Sequence, residues 1–528
     1  MASVPKEWES VNRGQEVRPI SEALKDDTTL DLDQQLAEEY VISPTFSSVR
    51  IMKHGKNGTY SYVVEEPSLS KEASIIYREA RSGLISSITS HPKAREERID
   101  YMRRFLISFS SSSKKGIGAQ EIDVVLYYLT KEFEGYGKVE VPLLDENIED
   151  ISCVGPNTPL YVVHRKYGSI VSNLNFDSEE ELNDFVRLAV QRSGKHISIS
   201  SPMVDCSLPN GARLQATFGR EVTKNGSTFT IRRFKNDPYT PLDLIELGTM
   251  NSDMAVYLWL AIEGGENMFI IGGTASGKTT TLNSILLFVP PNKKIVSIED
   301  TKELNIPHEN WIQSLTRQGT GDVNPSTRKR VGELDMFDLL VSSLRQRPDY
   351  IIVGEVRGRE AYTVFQSMAT GQSAISTFHS SDISSFVHRL EGEPLNIPRS
   401  MISALDIVIL QSQTVVANKT VRRINSIVEI GGIDNSTNEV VTNTVFQWEP
   451  VSDSFKYSGH SYFEDQLLTR NTWSLENLND EIDRRKKFIE SALESRTAIF
   501  SNFSEMVSKY YADKGERTHG GDNRGGLN

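Results

Sequence analysis

The stretch that most narrows what this 528-residue chain can fold into is IIGGTASGKTTT at 270–281. Gly272, Gly273, Thr274, Ala275, Ser276, Gly277, Lys278 and Thr279, followed by Thr280, carry the G-x-x-x-x-G-K-[ST] spacing of a phosphate-binding loop. The apolar run at 268–271 ahead of it predicts a buried strand, and 280–288 behind it a helix. Glycines at 272, 273 and 277 permit backbone torsions closed to other residues, so consecutive N–H groups can curl around an anion while the helix dipole adds its pull. In that arrangement Lys278 reaches the β- and γ-phosphates, and the Thr279 hydroxyl can ligate Mg²⁺.

The surrounding pattern agrees with an α/β core. Between about 242 and 450, strand candidates at 268–272, 294–299, 350–354 and 372–378 alternate with helical stretches. Upstream, residues 1–45 are polar and acidic and read as a flexible leader. Residues 46–66 alternate like a small hairpin. From 70 to 107 the spacing is helical, with Ile75, Ile76, Leu84, Ile88, Tyr101, Phe105 and Leu106 as candidate core, before a connector, SFSSSSKKG at 108–116. Strands such as 159–164 and a helix at 178–193, opened by Ser178, give 117–234 an α+β character. NDPYTP at 236–241 marks a linker. The expected organisation is a leader (1–45), a mostly helical region (46–116), an α+β domain (117–234), a linker (235–245), an α/β domain (246–470) and a C-terminal helix, 475–511, with a disordered tail (471–528).

Charge and cysteine content bound the partners. Lys and Arg number 58 against 71 Asp and Glu, a net −13 without a long block of one sign, which disfavours nucleic acid as the main ligand. Cys153 and Cys206 stand alone, so neither a zinc site nor a disulfide framework is indicated and a reducing, cytosolic setting fits. No signal peptide and no apolar run of roughly 20 residues is visible, so membrane association is expected to be indirect, through a partner.

Cleaving a triphosphate takes acids for the metal and water, and cations for the charge that develops. Two strand patterns end in such acids: KIVSIED at 294–300, with Glu299, Asp300 and then Glu303, and YIIVGE at 350–355, with Glu355 followed by Arg357. Acids at the carboxyl ends of parallel strands lie where open α/β sheets bind ligands. Glu355 is therefore a candidate to hold Mg²⁺ or polarise the attacking water, and Glu299 shares that candidacy; either could instead cap a helix or pair with a surface lysine. His379 closes the next strand, where a sensor of the γ-phosphate belongs. His388, on the following helix, could equally pack.

Taken together, GGTASGKTT, VSIEDTKEL, LLVSSLRQRPDYIIVGEVRGREA and TGQSAISTFHSSD resemble, in order, the Walker A, Asp box, Walker B and His box of the secretion-superfamily ATPases, over roughly 140–450. These motors serve type II secretion, type IV pili, conjugation-type type IV secretion and the archaeal rotary filament. PLLDENIEDI at 142–151, VDCSLPNGARL at 204–214 and TFTIRRF at 228–234 are similar to the family's N-terminal domain. The resemblance implies a RecA-like P-loop NTPase core preceded by an α+β N-terminal domain, with helical N-terminal and C-terminal extensions. It also implies ATP and Mg²⁺ as cofactors and Arg213, Arg232 and Arg233 as N-terminal-domain arginines approaching the phosphates. Two isolated cysteines cannot build the four-cysteine zinc module common in bacterial type II and pilus-extension members. The helical N-terminal region and EIDRRKKF at 481–488 look closer to the archaeal branch, which includes the archaellum motor. The basic cluster at 484–487 reads as a solvated helix face, with docking on the acidic loops of a membrane partner as the alternative.

The expected protein is thus a cytosolic homo-hexamer, peripheral at the inner face of the membrane. It would power a pilus-like filament or secretion through a polytopic membrane platform protein, with accessory cytosolic regulators. A rival from another class, a conjugation-type nucleic-acid translocase, would show a basic pore or DNA-stimulated turnover. A third, a nucleotide-binding regulator without hydrolysis, would require an inert Glu355.

Overall fold

A computed structural model describes residues 34–43, 46–55, 58–86, 95–112, 117–233, 238–317, 319–324, 329–417, 419–434, 436–437, 439–469, 473–495 and 500–521. Most of the expected leader, part of the connector (113–116), the end of the expected α+β domain with the start of the linker (234–237) and the last seven tail residues lie outside these. The chain divides into two compact units, Met1–Lys235 and Asn236–Asn528.

The first unit is built on a nine-stranded sheet: β1 (Gln34–Ser43), β2 (Ser47–His54), β3 (Thr59–Glu65), β4 (Ile148–Cys153), β5 (Pro159–His164), β6 (Gly168–Asn175), β7 (Met203–Ser207), β8 (Arg213–Thr217) and β9 (Thr228–Arg232), ordered β1-β2-β3-β6-β5-β4-β9-β8-β7. Its pairs are antiparallel except β3 with β6. Alternation buries one face, where Val49, Ile51, Ile151, Val162, Leu214 and Ile231 meet the helix Glu179–Arg192. That helix begins as its sequence predicts, with the Ser178 side chain accepting from Glu181 N.

Two expectations need correction in this unit. The end of the leader is not free of structure: 34–43 form β1, because Tyr40 and Ile42 pack on the core and the Tyr40 hydroxyl donates to buried Asp145 at 2.7 Å. The connector also begins later than its serines suggest. The helix Arg95–Ser112 carries through 108–112, since Phe105 and Phe109 stack one turn apart and extend its apolar stripe. With the helices Lys71–Ser86 and Ala119–Phe133 it encloses a second small core containing Ile76, Leu84, Leu106 and Leu126. Of the other core candidates, Tyr101 and Phe105 lie at its margin, Ile75 is half-buried and Ile88 falls outside the described residues.

The second unit opens with a helix where the linker was expected to continue. Thr240 and Asp243 form a capping box around Pro241, starting the helix Pro241–Glu246. Its sheet comprises β10 (Met268–Gly272), β11 (Ile295–Glu299), β12 (Trp311–Leu315), β15 (Tyr350–Val356), β16 (Ser373–His379), β17 (Ile407–Val416), β18 (Lys419–Ile433), β19 (Val440–Glu449) and β20 (Ser454–Tyr457), ordered β12-β11-β15-β16-β10-β17-β18-β19-β20; β13 (Thr320–Val323) and β14 (Arg330–Val331) pair separately. From β12 to β17 the strands run parallel, and beyond β17 antiparallel. β10 and β11 are buried along their whole length, as strands covered on both faces must be.

The C-terminal segment is two helices, Leu475–Glu494 and Phe500–Gly521, so the second runs ten residues past the expected end at 511. Ile489, Ala492, Phe500, Phe503 and Val507 join the main core, which explains why both helices stay folded against this unit. The expected solvated basic face is corrected at its centre. Arg485 is fully buried, with its guanidinium 4.8 Å over the Trp259 ring and hydrogen-bonded to Glu481 and Glu263. Burial works against ionising Glu481, yet Arg485 and Lys514 hold its carboxyl below the usual range. Tyr511 completes the attachment: its hydroxyl accepts from Trp259 Nε1 and donates to the Phe288 carbonyl, both at 2.9 Å.

Candidate functional site

The loop at 272–279 sits between the end of β10 and the helix Lys278–Ile285. Gly277, at φ +96°, is the N-cap of that helix, and the crest bends through Ala275 at φ +59°, a conformation that costs a side-chain-bearing residue. Glycine at 272 is obligatory: a Cβ there would lie 2.2 Å from the Gln411 carbonyl oxygen. At Gly273 an added Cβ would meet nothing within 4 Å, so the backbone faces open space, as a cradle for a phosphate chain must. Thr274 is exposed, buried Ser276 donates to Gly273 O at 2.9 Å, and Thr279 and Thr280 are half-buried in the first turn.

Lys278 Nζ donates to Gly272 O (3.0 Å) and Gly273 O (2.9 Å), which holds its charge at the mouth of the loop. Burial lowers its ammonium from the ordinary range, and the charges of Glu355 and Glu303 partly offset this. A phosphate chain placed there would favour the charged form. Glu355, at the end of β15, is half-buried and ion-paired with Arg357. The turn after it is closed by Glu360, whose Oε1 accepts from Arg357 N and Gly358 N, both at 2.7 Å.

Glu299 has a different occupation from the one expected. It is almost fully buried; Oε1 accepts from Glu303 N (2.8 Å) and Leu304 N (2.7 Å), and Oε2 from Gln313 Nε2 (2.8 Å). Burial pushes its carboxyl up to about 7 in spite of these donors. An acid with both oxygens turned to protein donors is poorly suited to ligate Mg²⁺ directly. It holds the loop that follows β11, and with Asn283 Nδ2 donating to Glu303 O at 2.8 Å it fixes the backbone of Glu303 beside the loop helix. The Glu303 side chain is exposed and its charge reaches Lys278, so Glu303 and Glu355 are the carboxylates that act on the lysine, while Asp300 is exposed.

His379 pairs in register with Gly272 across β16 and β10, and its Nδ1 lies 3.1 Å from Gly272 O. A carbonyl can only accept, so Nδ1 carries a proton in this contact and Nε2 is the ring nitrogen left to face a ligand. His388 is exposed and does not pack. On the other flank of β10, Gly272 pairs with Gln411 of β17, and Arg422 of β18 donates from Nε to Ala275 O at 3.1 Å. Neither residue shows in the sequence pattern; only the strand order brings them to the loop.

The three arginines carried over from the family resemblance belong to the first unit and differ sharply in freedom. Arg233 donates to the carbonyls of Leu143, Asp145 and Ile148, and its burial lowers it from the ordinary range. Arg213 grips Asp205 with two hydrogen bonds, 3.1 and 2.5 Å. Arg232 is 66% exposed and holds Asp150 through Nε at 3.1 Å.

A buried β10, a glycine loop and its helix, with acids on neighbouring parallel strand ends, define a RecA-like P-loop NTPase core. The Type II/IV secretion system protein family matches residues 140–462, and the chain belongs to that family, the secretion-superfamily ATPases. An uncharacterized protein of Methanocaldococcus jannaschii is 35% identical over 439 residues, 82% of this chain and 78% of its own. Protein VirB11 of Agrobacterium fabrum is 28% identical over 232 residues, 38% of this chain and 64% of its own. The solved pilus retraction motor PilT with bound ADP covers 68% of this chain and 93% of its own at 17% identity and a TM-score of 0.39, too loose a likeness to add to the argument. No helix among the described residues is long and apolar enough to cross a membrane.

Proposed function

We propose that this protein hydrolyses ATP to ADP and phosphate with Mg²⁺, and that it works as a homo-hexamer on a polytopic membrane platform protein. The output is assembly or rotation of a type IV pilus-like filament, an archaellum or archaeal pilus, or type II/IV secretion. The observation that carries the chemistry is the convergence on Lys278 of its own loop carbonyls and of the charges of Glu355 and Glu303. The archaeal relative that shares most of its length with this chain supports the archaeal branch.

Bound Mg²⁺ would neutralise phosphate charge, with Thr279 and Glu355 the residues to hold it. Gly273 to Gly277 present backbone N–H groups to the phosphates, and Lys278 places a positive charge on the β- and γ-groups. His379 Nε2 and the carboxylates order the attacking water, with Glu299 keeping Glu303 in position. Of the three implied arginines, Arg232 has the most exposed side chain, so it is assigned the phosphate role, and Arg233 the structural one.

Phosphate release from ATP by the purified chain tests this reading. Lys278→Ala should abolish turnover, a loss of at least about a hundredfold, while the cytosolic loops of a platform protein should stimulate the unaltered chain. Unchanged turnover in Lys278→Ala would overturn the assignment.

A further inference from the structure

The strand order gives the loop two unlike flanks. On one side of β10 stand β16, β15 and β11 with His379, Glu355, Glu299 and the Glu303 turn; on the other stand β17 and β18 with Gln411 and Arg422. Cleavage requires the acids and the imidazole at the terminal phosphate, so that end of a bound nucleotide faces β16 and β15. A phosphate chain has two ends. The other end, with the α-phosphate and ribose, must leave the loop toward β17 and β18.

The cation waiting on that flank is Arg422. Neighbouring positions on a strand face opposite ways, and β18 shows the consequence. Arg423 is buried, with its fork on Asp453 (2.8 and 2.9 Å) and Nη1 on Leu247 O, whereas Arg422 is exposed. Arg422 touches the loop through Nε on Ala275 O, and its Nη groups have no hydrogen-bond partner among the described residues. Its Cδ and the Gln411 amide nitrogen crowd Gly277 from the same side, 3.2 and 3.0 Å from where a Cβ would stand. The β17–β18 register shifts between Leu410 and Gln411, and the buried Gln411 Oε1 has no hydrogen-bond partner among the described residues.

We propose that Arg422 is a nucleotide-binding residue that takes the α-phosphate and ribose end of ATP or ADP, braced by its Nε contact to the loop crest. A permanently charged planar fork with its outer nitrogens open suits a phosphate oxygen pair. The assignment rests on the reading of the loop as a nucleotide site.

Calorimetric titration of the full chain and of Arg422→Ala with ATP supplied as a non-hydrolysable analogue, with ADP and with pyrophosphate tests it, with Mg²⁺ present throughout. The variant should lose about tenfold in affinity for ATP and for ADP alike, because both carry the α-phosphate, and should keep its affinity for pyrophosphate. Arg422→Lys, which keeps the charge without the fork, should recover part of the loss. Equal weakening toward pyrophosphate would reduce Arg422 to a brace of the loop and overturn the proposal. So would unchanged nucleotide affinity, or a loss confined to ATP. An unaltered chain that binds neither nucleotide would instead overturn the reading beneath it.

Discussion

The two units each rest on a nine-stranded sheet, yet they handle positive charge in opposite ways. In the first, Arg213 and Arg233 are tied to a carboxylate and to three backbone carbonyls, which fastens strand ends and turns to one another. In the second, Lys278 rests on the carbonyls of Gly272 and Gly273 and Arg422 on that of Ala275, and among the described residues neither has a carboxylate partner, so a stronger acceptor can claim them. Away from the loop the second unit ties its buried arginines as firmly as the first does: Arg485 lies between Glu481 and Glu263 under the Trp259 ring, and Arg423 forks onto Asp453. A cation that saturates strong acceptors stabilises; one resting on weak acceptors stays ready for an anion.

Substitutions can break or sharpen this contrast. The largest effect is expected at Arg485→Ala, which leaves Glu481 and Glu263 without their buried counter-charge. Urea unfolding should show a loss of about 3–5 kcal/mol. Next comes Arg233→Ala, about 2–3 kcal/mol by the same measurement, from three carbonyls deprived of a charged donor. If Arg233→Ala instead left stability intact and impaired only hydrolysis, the division between tethered and available arginines would fall.

A smaller effect is expected at Glu299. Its carboxyl is raised from 4.5 to about 7 in the folded chain, which therefore retains a proton that the unfolded chain releases. That contribution is complete below pH 4.5 and is lost as the pH climbs through about 7. Glu299→Gln removes the titration and keeps one accepting oxygen for Glu303 N and Leu304 N, while its new amide nitrogen requires Gln313 to turn its carbonyl toward it, so stability should fall less steeply across that window, by on the order of 2 kcal/mol. Parallel pH slopes for the two proteins would show that Glu299 does not titrate there. Smallest of all, Arg232→Ala should change stability by no more than about 0.5 kcal/mol, while ATP binding survives and phosphate release slows. A large stability loss would place Arg232 with Arg233 after all.

These results also show which parts of the site can be seen in a one-dimensional string. The loop was legible because its work is done by backbone shape: Gly272 and Gly277 sit where a Cβ meets Gln411 or where φ is positive, and no other residue type substitutes freely. Strand-end acids were legible in position but not in duty. Nothing local distinguishes Glu299, wrapped by two amides and Gln313, from Glu355, paired with Arg357, because the wrapping comes from the next turn and the next strand. Arg485 was misread because a basic run with Glu481 four residues earlier has the look of a solvated helix; only the Trp259 ring shows otherwise. Gln411 and Arg422 lie more than 130 residues from the loop, and only the pairing of β10 with β17 and of β17 with β18 brings them beside it.

The hydroxyl of Tyr511 links the ring of Trp259 to the peptide at Phe288, immediately after the helix that begins at Lys278. The last helix is therefore tied, through one hydroxyl, to the far end of the helical stretch whose first turn carries Lys278 and Thr279.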